Sequence, residues 1–531
     1  MPLATRGGGR STLGSVPVPQ ARDEQSRRAF LRSAIAYGAV GGGLLSACAD
    51  AVENASPVST TSSRPVTSTI APTTVPSVTT PADLGVVFDP SVGYWAQGGF
   101  RPVTEEIEAL GLPVDGAIPS ALDGVYVRNG TNGIGPSAHW FFGEGMVHGV
   151  ELQGGAARSY RNRWVRTPTN AAVLRGEVPP AVPGGTNSQS NVSVVSHGGR
   201  LLSLGEVGWP FELDPGDLST VGAVDFGGGI GANLTAHPKI DPATGLMHAF
   251  GYGLLEPPYL TYYVISADGT EVLHSTPIAV GASTMIHDFA ITESDVVFWE
   301  GPVRFDLDMA VAGEPIPYRW DPDYGARVGF MPLGGDGASI RWIEVEPMFV
   351  FHGTNAHREG DLIVATVSQL PDFFTRYDGL DGPSLLTRWE IDTAAEPPTL
   401  TQTVLEETPL DLPGLDRRQV GRPLDRAWYV ITDQPGDGNL VFAGLAEYDF
   451  RTGSLDRWAS GPDLQPNEPL FVADPSAGPG DGWLLSYVWD RRTDGSQLAI
   501  FESGTLSSGP VATVELPQRV PFGFHATFHT H

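Results

Sequence analysis

An all-β architecture, a propeller or a sandwich, is what the sequence predicts, and three observations predict it. Of the 531 residues, 66 are Gly and 46 are Pro, a density of turn-formers that favours many short strands over long helices. Short apolar or alternating runs recur from about residue 88 onward, bounded by Gly, Pro or Asp. No strand–helix–strand rhythm and no clean short-period repeat interrupts them. Pattern alone does not choose between a propeller and a sandwich.

Taken in order, residues 1–47 read as an export signal. Ser26-Arg27-Arg28-Ala29-Phe30-Leu31-Arg32 has the form of a twin-arginine signal. The Gly/Ala-rich apolar run from Ser33 to Ala47 is about 15 residues, short of the ~20 that span a bilayer. It ends in Leu45-Ser46-Ala47-Cys48, which is similar to a bacterial lipobox and places the only cysteine where such a signal is cut and acylated. One cysteine excludes an intramolecular disulfide framework and any multi-cysteine metal site. Residues 48–87 follow as a stalk. From Ser56 to Pro81, 19 of 26 residues are Ser, Thr or Pro, too polar and stiff to bury a core. The expected arrangement is a globular unit at 88–531, exported and tethered to the outer face of the cell membrane through a lipid on Cys48. Phe330-Met331-Pro332-Leu333 is the candidate for an added apolar membrane contact.

Charge narrows the partners. Lys plus Arg is 32 and Asp plus Glu is 61, a net −29. Loss of residues 1–47, with six Arg and two acidic residues, deepens this to −33. Such a surface repels phosphate backbones and excludes nucleic-acid binding. At 41% hydrophobic and 18% charged, the chain has apolar material for a large core. No obligate protein partner is evident.

Within 88–531 the runs read as strands. Examples are Gly124-Val125-Tyr126-Val127-Arg128, Thr261-Tyr262-Tyr263-Val264-Ile265, Asp295-Val296-Val297-Phe298-Trp299, Asp361-Leu362-Ile363-Val364-Ala365 and Gly482-Trp483-Leu484-Leu485-Ser486-Tyr487. Asp268-Gly269 and Asp494-Gly495 sit between candidate strands as hairpin turns. One helix is expected, Val103–Leu110, with Thr104 as N-cap before Glu105, Glu106 and Glu108.

The chemistry lies in the histidines. His237 sits in Thr235-Ala236-His237-Pro238-Lys239, His287 in Met285-Ile286-His287-Asp288, His352 in Phe351-His352-Gly353-Thr354 and His525 in Pro521-Phe522-Gly523-Phe524-His525. They lie 50, 65 and 173 residues apart, and no short chelate motif joins them. A site built from them has to be assembled by the fold, as at the axis of a propeller. His197, His248, His274 and His357 read as surface or loop residues, His139 and His148 as structural ones, and His529 and His531 as chain-end residues.

The sequence resembles the carotenoid cleavage oxygenases over nearly all of residues 90–531. The resemblance rests on several motifs in order: Asn129-Gly130, Pro136, His139-Trp140-Phe141-Phe142-Gly143-Glu144-Gly145-Met146-Val147-His148-Gly149, Tyr160 to Thr167, Leu202-Ser203-Leu204-Gly205-Glu206, Leu213-Asp214-Pro215 after Glu212, and Trp320 to Gly329. The family usually has Asp where Glu144 stands. The resemblance implies a seven-bladed β-propeller with a dome of loops and short helices over an iron centre. About 440 residues over seven blades is roughly 63 per blade, against ~40–45 for a minimal blade, and the excess supplies the dome.

The resemblance further implies Fe(II) held by four histidines, which match His237, His287, His352 and His525. Imidazole suits Fe(II), and four neutral ligands leave charge balance to outer carboxylates that accept the imidazole N–H. The family uses three glutamates so. Glu206 and Glu468 match two. The third falls near Asp411, an Asp in place of Glu, with Glu406 or Glu407 as the alternative. No catalytic residue beyond the metal centre is expected. The implied reaction is cleavage of a C=C bond of a carotenoid or apocarotenoid with O2, giving two carbonyl products. Stilbene-cleaving members carry a Lys before the first glutamate to bind a phenol oxygen. Here that position is Gly205, which disfavours phenolic substrates. The alternatives are cleavage of a non-phenolic stilbene-like alkene, and a non-catalytic surface lipoprotein that binds apolar ligands.

Overall fold

Hairpin follows hairpin along the chain, and each group of strands closes into its own antiparallel sheet. The computed structural model describes Asp89 and residues 91–134, 139–179, 184–312, 314, 316–374, 382–433 and 440–531. The signal and stalk (1–47 and 48–87), Cys48 and Pro136 lie outside these residues.

The first sheet is a meander of Gly124–Thr131, Gly145–Gln153 and Ala156–Trp164, edged by Glu108–Leu110 and by the chain's last strand, Ala526–Thr530. Three four-stranded sheets follow. Ser193–His197 opens the second, Lys239–Ile240 the third and Phe289–Ile291 the fourth. A seven-stranded sheet then runs from Phe349–Glu359 to Ser454–Ala459, and the 16-residue strand Thr399–Gly414 belongs to both of its halves. The last sheet is built on Gly482–Asp490 and Gly495–Glu502 and takes in Val114–Gly116 from near the start of the described chain. Successive small sheets of this kind make a propeller-type fold.

Its ends close on each other. Ala526–Thr530 pairs with Gly124–Thr131 from Arg128↔Ala526 to Gly124↔Thr530. Just before it, Gly523 lies against Gly130, where a Cβ on Gly130 would stand 2.5 Å from the Gly523 Cα. Only glycines allow that approach, which explains Asn129-Gly130 and Pro521-Phe522-Gly523 as one contact written in two places. The Asn129 side chain completes it, donating to the Ser190 and Ser193 carbonyls and to Ser203 Oγ. The core is divided between the sheets: Trp428 and Trp489 are fully buried in one cluster and Trp389 in another.

Three expectations are corrected. Val103–Leu110 is not a helix. Residues 101–107 are irregular and Glu108–Leu110 is an edge strand against Arg161, Tyr160 and Ser159. The glutamates that suggest a helical first turn serve the neighbouring strand instead: Glu106 accepts from Trp164 N and Arg166, and Glu108 pairs with Arg161. Helices form elsewhere, at Pro168–Leu174 and Leu307–Ala312; the first starts at Thr167, whose Oγ1 accepts from Asn170 N, with Pro at the first turn. Secondly, in the run Phe330-Met331-Pro332-Leu333 the two largest side chains, Phe330 and Met331, are buried in the strand Ala326–Pro332, and only Pro332 is exposed, with Leu333 half-buried. Thirdly, His197, His248, His274 and His357 lie on strands, and His197 and His248 are buried. His248 Nδ1 meets Tyr262 Oη at 2.6 Å, and His197 Nε2 meets the Ser266 carbonyl at 2.8 Å.

Burial of histidines has a consequence for stability. It pushes His139 down to about 3, His248 to about 4 and His148 well below the ordinary 6.5, with Arg128 adding to the last. These groups stay neutral in the fold where the unfolded chain is protonated. The unfolded state then binds more protons below pH 6.5, so stability falls as pH falls. From pH 6 to pH 5 each is expected to cost about 1 kcal/mol. Denaturant midpoints across that range should drop, and His248→Gln should remove one group's share of the slope. A His248→Gln profile parallel to wild type would refute this.

Candidate metal centre

The four histidines His237, His287, His352 and His525 each sit on or just before an edge strand of a different sheet. His237 precedes Lys239–Ile240, His287 precedes Phe289–Ile291, His352 lies in Phe349–Glu359 and His525 precedes Ala526–Thr530. These edges pack on one another: Phe289–Ile291 on Phe349–Glu359, and Ala526–Thr530 on Ser193–His197 and Leu470–Ala473. The inner edges of the sheets thus bring together side chains up to 288 residues apart.

One nitrogen from each ring lies within 4.8 Å of the others. The rings stand 4.4 Å (His237–His287), 4.5 Å (His237–His525), 5.0 Å (His352–His525) and 5.3 Å (His287–His352) apart. The inward nitrogens are Nε2. Those of His237 and His287 approach to 2.9 Å, and those of His352 and His525 are buried with no hydrogen-bond partner. Four convergent imidazoles, two of them with orphaned, buried Nε2 atoms and two with Nε2 set against Nε2, are the donor set of a divalent metal site. An apolar core would leave such atoms uncompensated.

Three of the outward nitrogens are held by carboxylates. Glu206 Oε2 stands 3.0 Å from His287 Nδ1, Asp411 Oδ1 2.7 Å from His352 Nδ1 and Glu468 Oε1 2.7 Å from His525 Nδ1. The carboxylates are fixed in turn: Glu468 Oε2 accepts from Ala526 N at 2.8 Å and Asp411 Oδ1 from Leu412 N at 2.8 Å. Glu206 Oε1 accepts from Tyr252 Oη at 2.6 Å, and Tyr318 hydrogen-bonds Tyr252. Neither tyrosine carries a signal in the sequence, because Tyr252 is one more aromatic of a strand and Tyr318 follows a Pro-rich loop. Glu406 is not an outer carboxylate of the site. It binds Thr408 and Arg457, and Glu407 is exposed. Outer carboxylates of this kind set the tautomer that presents Nε2 to a metal.

Electrostatics keeps the nitrogens of His237 and His352 available. Burial, reinforced by the three neighbouring imidazoles and Lys239, holds His237 well below its ordinary value and therefore neutral. Burial also lowers His352 against the pull of Asp411. At His287 burial is overcome by Glu206, Asp288 and Asp411, and the ring is raised. The other histidines stay apart: His148 binds Tyr160 Oη, His139 packs on Trp95, and His529 meets Ser196 Oγ.

Above the rings is a cavity of about 660 Å3. Trp140, Phe141, Met285, Phe351, Leu412 and Phe524 line it, and His287, His352, Glu206 and Asp411 reach its wall. Phe351 stands edge-on to His287 at 5.0 Å, and Trp140 stacks on Phe524 at 4.4 Å. At Gly205, also on the wall, even a Cβ would come within 3.0 Å of Ser188 Oγ and Ser190 N. A lysine has no ready place there.

The chain matches the family model of the retinal pigment epithelial membrane protein over residues 100–530. It is 36% identical to a carotenoid cleavage oxygenase of Mycobacterium tuberculosis, over 82% of this chain and 97% of that protein. It is 32% identical to carotenoid 9,10(9',10')-cleavage dioxygenase 1 of Arabidopsis thaliana, over 82% and 90%. Among solved structures it is similar to the lignostilbene dioxygenase of Pseudomonas brassicacearum, with a TM-score of 0.76 and 26% identity over 83% of this chain and 99% of that one.

Proposed function

This chain belongs to the retinal pigment epithelial membrane protein family of carotenoid cleavage oxygenases, and from that premise we propose that it is a non-haem Fe(II) dioxygenase cleaving a C=C bond of a carotenoid or apocarotenoid. The observation that carries the reading is the four-imidazole cluster opening onto an apolar cavity. His237, His287, His352 and His525 hold the iron. Bound Fe(II) supplies the activation of O2. The remaining work falls to the protein. Glu206, Asp411 and Glu468 keep the ring N–H protons on Nδ1, so that Nε2 faces inward. Trp140, Phe141, Phe351 and Phe524 take up an extended conjugated chain, exclude water and hold one double bond beside the rings. Both atoms of O2 enter product: the C=C bond breaks and two C=O bonds form, with no added electrons or protons. Accordingly no side-chain acid–base pair is required. We count the long sheet as two blades joined at Thr399–Gly414, which gives seven.

Product analysis tests this. The full chain, supplied with Fe(II) and O2, is expected to convert a carotenoid or apocarotenoid into two carbonyl fragments, with one iron per chain. Iron-loaded protein that leaves every polyene intact overturns the reading. Cleavage of aromatic alkenes alone would then favour a non-phenolic stilbene-like substrate, which the likeness to a lignostilbene dioxygenase supports and Gly205 sets against a phenol. Pigment bound without turnover would favour a binding lipoprotein.

The same proposal includes its place in the cell. The twin-arginine motif, Cys48 and the stalk tether the enzyme at the outer face of the membrane, near a substrate dissolved in lipid. Labelled palmitate should enter wild-type protein and not Cys48→Ser, and the variant should leave the membrane fraction. Equal membrane retention and no label in either protein would remove the anchor.

A further inference from the structure

Lys239 is the chain's only lysine. Its Nζ stands 2.7 Å from Oδ1 of Asp288, a carboxylate whose side chain is 1% exposed. That carboxylate also accepts two backbone amides, Phe289 N on Oδ1 at 2.8 Å and Gly353 N on Oδ2 at 2.9 Å. The partners sit beside three of the four cluster histidines. Lys239 is two residues past His237, Asp288 follows His287, and Gly353 follows His352. One buried carboxylate therefore ties together three segments that belong to three different sheets.

The tie has a reason at His237. The rings of His287, His352 and His525 each rest on their own carboxylate. Among the described residues no carboxylate contacts the ring of His237, which meets His287 Nε2 and whose backbone N–H binds Thr235 Oγ1. Its position depends on its backbone, and Lys239 anchors that backbone to Asp288. A buried ion pair is a poor device for stability alone, since desolvation offsets most of its attraction. Its value is in fixing geometry.

We infer that Asp288 is the positioning residue of the metal centre, setting the mutual spacing of His237, His287 and His352 through Lys239 and the Gly353 amide. This rests on the metal reading above. In Asp288→Asn the shape is kept, but the amide NH2 faces the Lys239 ammonium or a backbone N–H, donor against donor. Metal-free protein titrated with Co(II) against a chelator provides the test, with the Co(II) visible bands and the metal-free Tm as readouts. D288N is expected to lose about tenfold or more in Co(II) affinity, as outer residues of metal sites do, and to shift the bands. Adding Lys239→Met should recover Tm, by removing the unpaired ammonium, without recovering affinity. This neutral pair carries the test if the single variant does not fold. Asp295→Asn, which breaks a comparably buried pair with Arg358 that touches none of the four rings, should move Tm alone. Wild-type affinity and bands in D288N, with Tm lowered as in D295N, would reduce Asp288 to packing. Wild-type protein that takes no Co(II), or binds it equally after His287→Ala, overturns the metal reading and this inference with it.

Discussion

His287→Ala protein is expected to fold, to retain no iron and to leave polyene uncleaved. His287 is held on both sides of its ring, with Nε2 at 2.9 Å from His237 and Nδ1 at 3.0 Å from Glu206. Its removal takes one of the four proposed ligands. It also opens space on the cavity side, next to Phe351. The loss in affinity should exceed the roughly 10–100-fold that removing an outer carboxylate costs. Glu206 keeps Tyr252 as a partner, so no buried charge is stranded and the fold survives. Metal analysis after dialysis, with circular dichroism as the control, reads this directly. One iron per chain in wild type and none in the variant is the expected pair of results. Equal iron in both would place the metal elsewhere, and folded wild type that takes no Fe(II) would end the oxygenase reading.

Asp411→Ala should lower metal affinity about 10–100-fold while Glu406→Ala leaves it unchanged. The two residues are five apart on one strand, yet only Asp411 reaches the centre. The strand shifts register between Asp411 and Gly414, and Leu412 takes a φ of 52°, which turns the chain toward His352. The short carboxylate then reaches Nδ1 directly at 2.7 Å and is fixed by Leu412 N. Without it, the His352 ring is free to rotate or to swap its proton to Nε2, and either change removes a ligand. Glu406 faces Arg457 at the outer part of the same sheet. Its loss should cost little, as exposed pairs do. Chelator competition with both variants distinguishes the two positions. A larger effect from Glu406 than from Asp411 would reverse the assignment.

Much of the fold is legible in the sequence. Short strands bounded by Gly, Pro and Asp carry a local signal, because strand period and turn chemistry act over a few residues. The histidines stand out by their neighbours: Gly353 is needed where Trp299 crowds the backbone, and Gly523 where the Asn129 carbonyl and Arg128 do. The false helix at 103–110 shows the limit. Its glutamates have the composition of a helical first turn, but their partners, Arg161 on another strand and Arg166 just past its end, are more than fifty residues away. Local propensity is weak against such pairing. His248 passes for a surface residue for the same reason, since its burial depends on Tyr262 across the sheet.

The all-β class, the family, and the four histidines with Glu206 and Glu468 as the residues to watch are all written in the sequence. Each is encoded in a run of a few residues whose chemistry is local. The rest depends on tertiary structure. It chose Asp411 over Glu406, put Tyr252 and Tyr318 behind Glu206, shaped the cavity and set Asp288 between three segments. These are relations between residues tens to hundreds of positions apart, created when the last strand pairs with Gly124–Thr131 and the sheet edges converge. A sequence names the groups that chain closure will bring together, and the distances between them exist only after closure.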